Sequence, residues 1–419
     1  MQHDDLTSFL RAERERMAAS RAPLRGVRVL DLGSVVAAPF AATLLGDYGA
    51  EVIKIEPPAV PDAIRYWRVI EERYQAYWLF AARNKLPITL NLKHPEGKEI
   101  FRRLVRESDV LLENMRPGTL DRLGFPATGL RELNPGLIIG RISGYGQTGP
   151  YAARRGFGTL AEAMSGFTYM NAQPGGPPTN PPLALADMVS GAHLALGVVM
   201  ALRGQRRGEA GGQELDLSLY EPLFGFMAGD FLMHALSGVP PEPAGNESHY
   251  VCPRNSYRTG DGKWVVLSAS SQAPFERLMD LVGRPELKTA PGFRNNQERL
   301  APESRAVLNR VIGDWIQARP LSDVLEACEQ AGVTIGPVLG MPEIAADPHV
   351  QARGSIVSVP DPVTGRAIPL PAAAIRMSAT PGEVRFPGLP MGAANEVVLT
   401  DLLGYRPDDV ARLKAAGAI

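Results

Sequence analysis

Val27-Arg-Val-Leu-Asp-Leu-Gly33, then Pro39 to Tyr48 (PFAATLLGDY), then Glu51-Val-Ile-Lys-Ile-Glu56 decide the fold. The first run is short and β-rich and ends in glycine. The second has helical periodicity and opens on proline, which suits a first helical turn. Gly49 stops it. The third is a strand halted by Pro57 and Pro58. Together they make a strand–helix–strand unit of about 30 residues.

The alternation continues outward. Ile88 to Lys93 (ITLNLK) reads as a strand. Pro95 to Glu107 reads as a helix, with Ile100, Phe101, Leu104 and Val105 on one face. Val110 to Met115 and Leu137 to Ser143 read as strands, with short helical turns between them. A long apolar helix is expected from about Leu185 to Leu202, followed by a strand at Gln213 to Leu219. Strands alternating with helices imply a parallel sheet covered on both faces. The expected class is therefore α/β with a parallel sheet, preceded by a polar N-terminal extension at 1–22 and followed by a smaller α/β domain at about 225–335. Within the small domain, Lys263 to Ser268 follows an Asp261-Gly262 turn, a hairpin signal, and Trp264 reads as core.

Composition narrows the function. The 419 residues carry 44 Lys and Arg against 45 Asp and Glu, and 45% are hydrophobic. This is ordinary globular composition. It excludes a disordered tail protein and argues against a nucleic-acid binder. The balance is uneven along the chain: Arg83 to Arg155 holds 13 Lys and Arg against 7 Asp and Glu. Only Cys252 and Cys328 occur, and the six histidines show no ligand spacing. No disulfide framework and no metal site is expected. The N-terminus lacks the apolar core of a signal peptide. The apolar stretch Leu183 to Leu202 contains Asp187 and His193, so it reads as a buried helix rather than a membrane span. A cytoplasmic protein without membrane attachment is expected.

Three features bear on chemistry. Gly144-Tyr-Gly-Gln-Thr-Gly149 fits a dinucleotide fingerprint. That motif needs a helix opening inside it, and Pro150 follows at once. Asp187 stands in Leu185-Ala-Asp-Met-Val-Ser-Gly191, at the start of the most apolar helix. It reads either as a helix cap or as a carboxylate nucleophile, kept ionised by the helix dipole and approached past small neighbours. Third, Arg83, Asn84, Lys85, Lys93, Asn114, Arg116, Arg122, Arg154 and Arg155 lie near element ends. Ligands of open α/β sheets bind beyond the carboxyl ends of strands, and basic groups there suit phosphates. His193 and the two cysteines read as structural.

These residues resemble a known family, the class III CoA-transferases, which also contains α-methylacyl-CoA racemase. The matching segments include GVRVLDLGSVVAAPFAATLLGDYGAEVIKIEPP (26–58), the ENMRPG and LDRLGF pair within 82–125, NPGLIIGRISGYGQTGPY (134–151), LADMVSG (185–191), and AGVTIGPVLGMPEIAADPHVQARG (331–354). The resemblance runs from about residue 24 to the C-terminus. It implies a large Rossmann-like domain formed by residues 23–224 and 336–419, a small domain inserted at 225–335, and an interlaced homodimer, with Asp187 as catalytic aspartate. It implies CoA contacts at Val36, Ala37, Leu90, Asn91, Leu92, Lys93, Asn114, Met115, Arg116, Arg122, Arg155 and Phe157. No metal and no tightly bound cofactor is implied; the CoA thioester is a substrate. The expected activity is CoA transfer from an acyl-CoA, with succinyl-CoA as the suggested donor, to a small carboxylic or dicarboxylic acid through an aspartyl-CoA thioester. An acyl-CoA racemase or isomerase and a non-catalytic CoA-thioester binding protein are the alternatives. The racemase branch carries His where this chain has Phe157, which favours transfer. The oxalate-accepting branch has Gln where this chain has Val36 and Arg where it has Pro57. Its glycine-rich flap has no obvious match, and the 240–256 loop is a candidate substitute.

Overall fold

The computed structural model describes residues 3–71 and 74–419. Its main sheet has six strands: β1 (Arg28–Asp31), β2 (Glu51–Glu56), β3 (Lys85–Thr89), β4 (Val110–Glu113), β5 (Ile138–Ser143) and β6 (Glu214–Ser218). The order across the sheet is β3-β2-β1-β4-β5-β6, and every pairing is parallel. Register is set by apolar partners such as Val29 opposite Val52 and Val110, and Leu30 opposite Ile53 and Leu111. The strands are buried along nearly their whole length except at β6, as a doubly covered sheet requires.

Side-chain alternation along each strand feeds two cores. Leu30, Ile53, Leu86, Ile88, Leu111 and Ile139 belong to one. There α3 (Pro95–Arg106) contributes Ile100, Phe101, Leu104 and Val105, each worth ~1.5–3 kcal/mol when fully buried. Phe101 meets Phe125 edge-on at 4.6 Å. Val29, Val52, Val110, Leu112, Ile138 and Ile142 belong to the other, under α2 (Ala37–Asp47) and α5 (Leu185–Arg206). Among the described residues α5 is the helix long and apolar enough to cross a membrane. Its buried stripe of Ala186, Ser190, Gly191, Leu194, Val198 and Leu202 has helical spacing and faces this core.

The N-terminal helix α1 (His3–Ala19) docks on the first core through Leu6 and Leu10, and Arg14 bonds Glu51 at 2.6 Å. The C-terminal segment returns to the same core with Phe386, Leu389, Val397, Leu413 and Ile419. The chain divides into two compact units. One comprises residues 1–167, 180–229 and 348–419; the other comprises 168–179 and 230–347. The second unit has a three-stranded antiparallel sheet of β7 (Arg254–Arg258), β8 (Trp264–Ser268) and β9 (Ile335–Pro337), in the order β9-β8-β7. Its core holds Val265, Leu267, Phe275, Leu308, Ile312 and Val324.

Two local expectations are corrected. The strand expected at Ile88–Lys93 is β3, Lys85–Thr89. Asn91 ends it early: its side chain accepts from Lys93 N at 3.0 Å and its carbonyl accepts from His94 N. Trp264 is not core but exposed, because the alternation in β8 turns Val265 and Leu267 inward instead.

Candidate active site

Strand order reverses between β1 and β4, and the turn leaving β1 lies at that switch point. There Val35 has φ +64°, an outlier for a β-branched residue. Asp62 holds it, accepting from Val35 N at 3.0 and 3.2 Å and from Ile64 N at 3.1 Å. Lys54 pairs with Asp62 at 3.3 Å and donates to the Gly33 carbonyl. Lys85 reaches Asp31 at 2.8 Å, and Asp31 accepts from Gly33 N at 3.0 Å. Burial opposes the charge on Lys54, but Asp31, Asp62 and Glu56 outweigh it and hold its ammonium above the ordinary range. Asp31, two residues before Gly33, and the sequence-distant Asp62 thus fix the backbone of one turn. Asn114, just past β4, clamps the same turn from the other side, accepting from Ser34 N and donating to Ser34 O, both at 2.8 Å.

This turn borders a cleft of about 690 Å³. Val36, Ala37, Asn114, Phe157 and Asp187 line it, with Ser34, Trp67, Tyr77, Ser143 and Thr159. Asp187 stands in the first turn of α5, opposite Gly158 at the start of α4 (Gly158–Met164). A Cβ at position 158 would lie 1.9 Å from Asp187 Oδ2, so glycine there makes room for the carboxylate. Glu162, one helical turn along α4, is buried and accepts the N–H of Ala186 at 3.2 Å. Asp187 is not held in the ordinary carboxylate range as the dipole argument expected. Burial, with the Glu162 charge beside it, pushes it up to about 6. Loss of water around the Asp187 carboxylate, and then the neighbouring negative charge, outweigh what one helix end can offset.

The remaining expected contacts lie elsewhere on the same unit. Leu90 is buried in the core, and its N–H pairs with the Glu56 carbonyl. Asn91 is tied to the C-terminus through Ala418 and Gly417. Leu92 and Met115 pack on the first core. Lys93, Arg116, Arg122 and Arg155 are exposed, and Arg122 donates to Thr119 Oγ1 at 2.8 Å. Neither the cations Arg83 and Lys85 nor the amide of Asn84 is free for a ligand. All three are buried: Arg83 and Asn84 bond Asp47, and Lys85 bonds Asp31 and the Pro39 carbonyl.

The glycine motif at 144–149 opens no helix; the next helix is α4. Its Gly144 instead packs backbone to backbone on Gly156, where a Cβ would sit 2.6 Å from the facing Cα. His193 Nδ1 lies 2.8 Å from the Val189 carbonyl of the preceding turn. Burial pushes both cysteine thiols up to about 11, away from thiolate chemistry. Glu162, Trp67 and Tyr77 escaped the sequence reading. For Glu162 the signal was available: a lone carboxylate in an otherwise apolar helix, the same anomaly that marked Asp187.

The model of CoA-transferase family III matches residues 24–395. The chain is 40% identical over 400 residues to a succinyl-CoA–D-citramalate CoA-transferase of Chloroflexus aurantiacus, covering 95% of this chain and 98% of the relative. It is 38% identical to the β subunit of a succinyl-CoA–L-malate CoA-transferase from the same organism, covering 95% and 98%. The crystal structure of a CAIB/BAIF family protein from Brucella suis superposes with a TM-score of 0.79 at 30% identity, covering 91% of this chain and 99% of that one. A parallel sheet with a cleft at its switch point, together with a match along nearly the whole length, places the chain in CoA-transferase family III.

Proposed function

We propose that this CoA-transferase moves CoA from succinyl-CoA to a small dicarboxylic acid, with Asp187 as the nucleophile. One observation carries the assignment of Asp187: a half-buried carboxylate, raised to about 6, at the wall of the switch-point cleft. At neutral pH it is mostly ionised, yet more basic than an aspartate in water. An Asp187 oxygen attacks the thioester carbonyl, and the CoA thiolate leaves, giving a mixed anhydride. The thiolate then attacks the aspartyl carbonyl, releasing succinate and leaving an aspartyl-CoA thioester. The acceptor carboxylate attacks that carbonyl and again displaces the thiolate. The thiolate finally attacks the acceptor's acyl carbon, freeing Asp187 and the new acyl-CoA.

The choice of donor and acceptor class follows the relatives named for succinyl-CoA with citramalate and malate. Val36, Ala37, Asn114 and Phe157 border the cleft. The exposed Lys93, Arg116, Arg122 and Arg155 are available to CoA phosphates. A homodimer fits the outer face of α5, where Leu196, Val199 and Met200 are exposed beside Phe226. So much uncovered apolar surface on one face is the mark of an interface. The proposed location is the cytoplasm.

The test is chemical. The enzyme is incubated with succinyl-CoA and then hydroxylamine, and the peptide bearing Asp187 is examined by mass spectrometry. A hydroxamate on Asp187, lost in Asp187→Ala together with transfer, is the expected result. No adduct, with solvent deuterium entering the acyl α-carbon, would replace this reading with an isomerase.

A further inference from the structure

Glu162 has no role in the steps above, yet it is 2% exposed and faces the nucleophile. Its Oε1 accepts the Ala186 N–H at 3.2 Å. Ala184, at the N-cap of α5, offers no side-chain oxygen. Glu162 therefore caps α5 from a different helix, satisfying one of the orphan amides at that end. Gly158 and Glu162 are four residues apart on α4, so both present toward the first turn of α5. One gives the Asp187 carboxylate its space, and the other holds the N–H of the residue immediately before it.

Resting on the reading of Asp187 as nucleophile, we propose that Glu162 is a positioning residue for it, anchoring the turn that carries Asp187 and setting a negative charge beside it. The other charged groups on elements packed against α5 have partners of their own. On α2, Asp47 is held by Arg83 and Asn84. On β5, Arg141 lies between Glu113 and Glu214, the latter on β6. Also on β6, Asp216 accepts from Gln147 N. In the helix Glu221–Phe226, Glu221 accepts from Ser218 Oγ. On α5 itself, His193 lies against the Val189 carbonyl, and Arg203 and Arg206 lie in the last turn. Burial and then Glu162 are what raise Asp187.

Two substitutions separate the two contributions. Glu162→Gln keeps an oxygen for the Ala186 amide and removes the charge. Glu162→Ala removes both. The readout is the rate of hydroxylamine-trappable adduct formation on Asp187 with succinyl-CoA, from pH 4.5 to 8.5. The wild type should lose its rate below a limb near pH 6. In Glu162→Gln the limb should move down by half a pH unit or more, with KM for succinyl-CoA within twofold. Glu162→Ala should share that shift and also lose at least tenfold in plateau rate. An unchanged limb in Glu162→Gln overturns the proposal, whether or not Glu162→Ala folds. A wild type that forms no adduct at any pH fails the Asp187 reading instead, so the two failures are distinct.

Discussion

Replacing Gly158 by alanine puts a methyl carbon where the Asp187 carboxylate now lies. The new Cβ would stand 1.9 Å from Oδ2 and 3.0 Å from Cγ, whereas ordinary contact begins at 3.4 Å. Oδ2 must retreat by about 1.5 Å, and a misplacement of ~1 Å at a reacting group costs ~10²-fold in rate. The backbone has no objection, because Gly158 is not among the positive-φ glycines and opens a helix in which alanine is the better former by up to ~1 kcal/mol. The expected outcome is a folded enzyme whose kcat falls about 100-fold. Its urea midpoint should match the wild type, and succinyl-CoA should bind nearly as before. The assay is steady-state transfer to a dicarboxylate acceptor, paired with hydroxylamine trapping and urea denaturation. A variant within threefold of wild-type kcat would refute the argument, since it would mean that the carboxylate does not react from the position next to residue 158.

Asp187→Asn should be inactive and more stable than the wild type. A carboxylate raised from 3.8 to about 6 binds its proton more tightly in the folded chain. Folded-state stability therefore falls as pH rises from the unfolded value through the folded one, by ~2–3 kcal/mol in all. Urea midpoints of the two proteins should coincide near pH 3.8 and separate above pH 6; equal midpoints at pH 7.5 would contradict this. Lys54→Met removes the cation between Asp31 and Asp62 under the first turn. Breaking one side of a buried ion network costs ~3–5 kcal/mol, and thermal melting should show it. A melting point unchanged within a degree would mean that the network does not hold the turn.

The parts of this protein that were legible in its sequence are those where neighbours in the chain are also neighbours in the physics. The β1-α2-β2 unit came from local periodicity and from Gly49, Pro57 and Pro58 as stops, and the parallel pairing of the strands follows from that alternation, whereas their order across the sheet does not. Asp187 was visible because a carboxylate opening an apolar helix breaks a local pattern. What failed did so at long range. Arg83 and Lys85 looked like free cations at a strand end, since nothing local announces that Asp47 and Asp31, 36 and 54 residues earlier, take them. Ile88 to Lys93 looked like one strand because its apolar alternation runs on through the Asn91 turn, which is fixed partly by Ala418. Glu162 shows the same limit from the other side. Its anomaly is local, but its meaning depends on an amide 24 residues away in another helix.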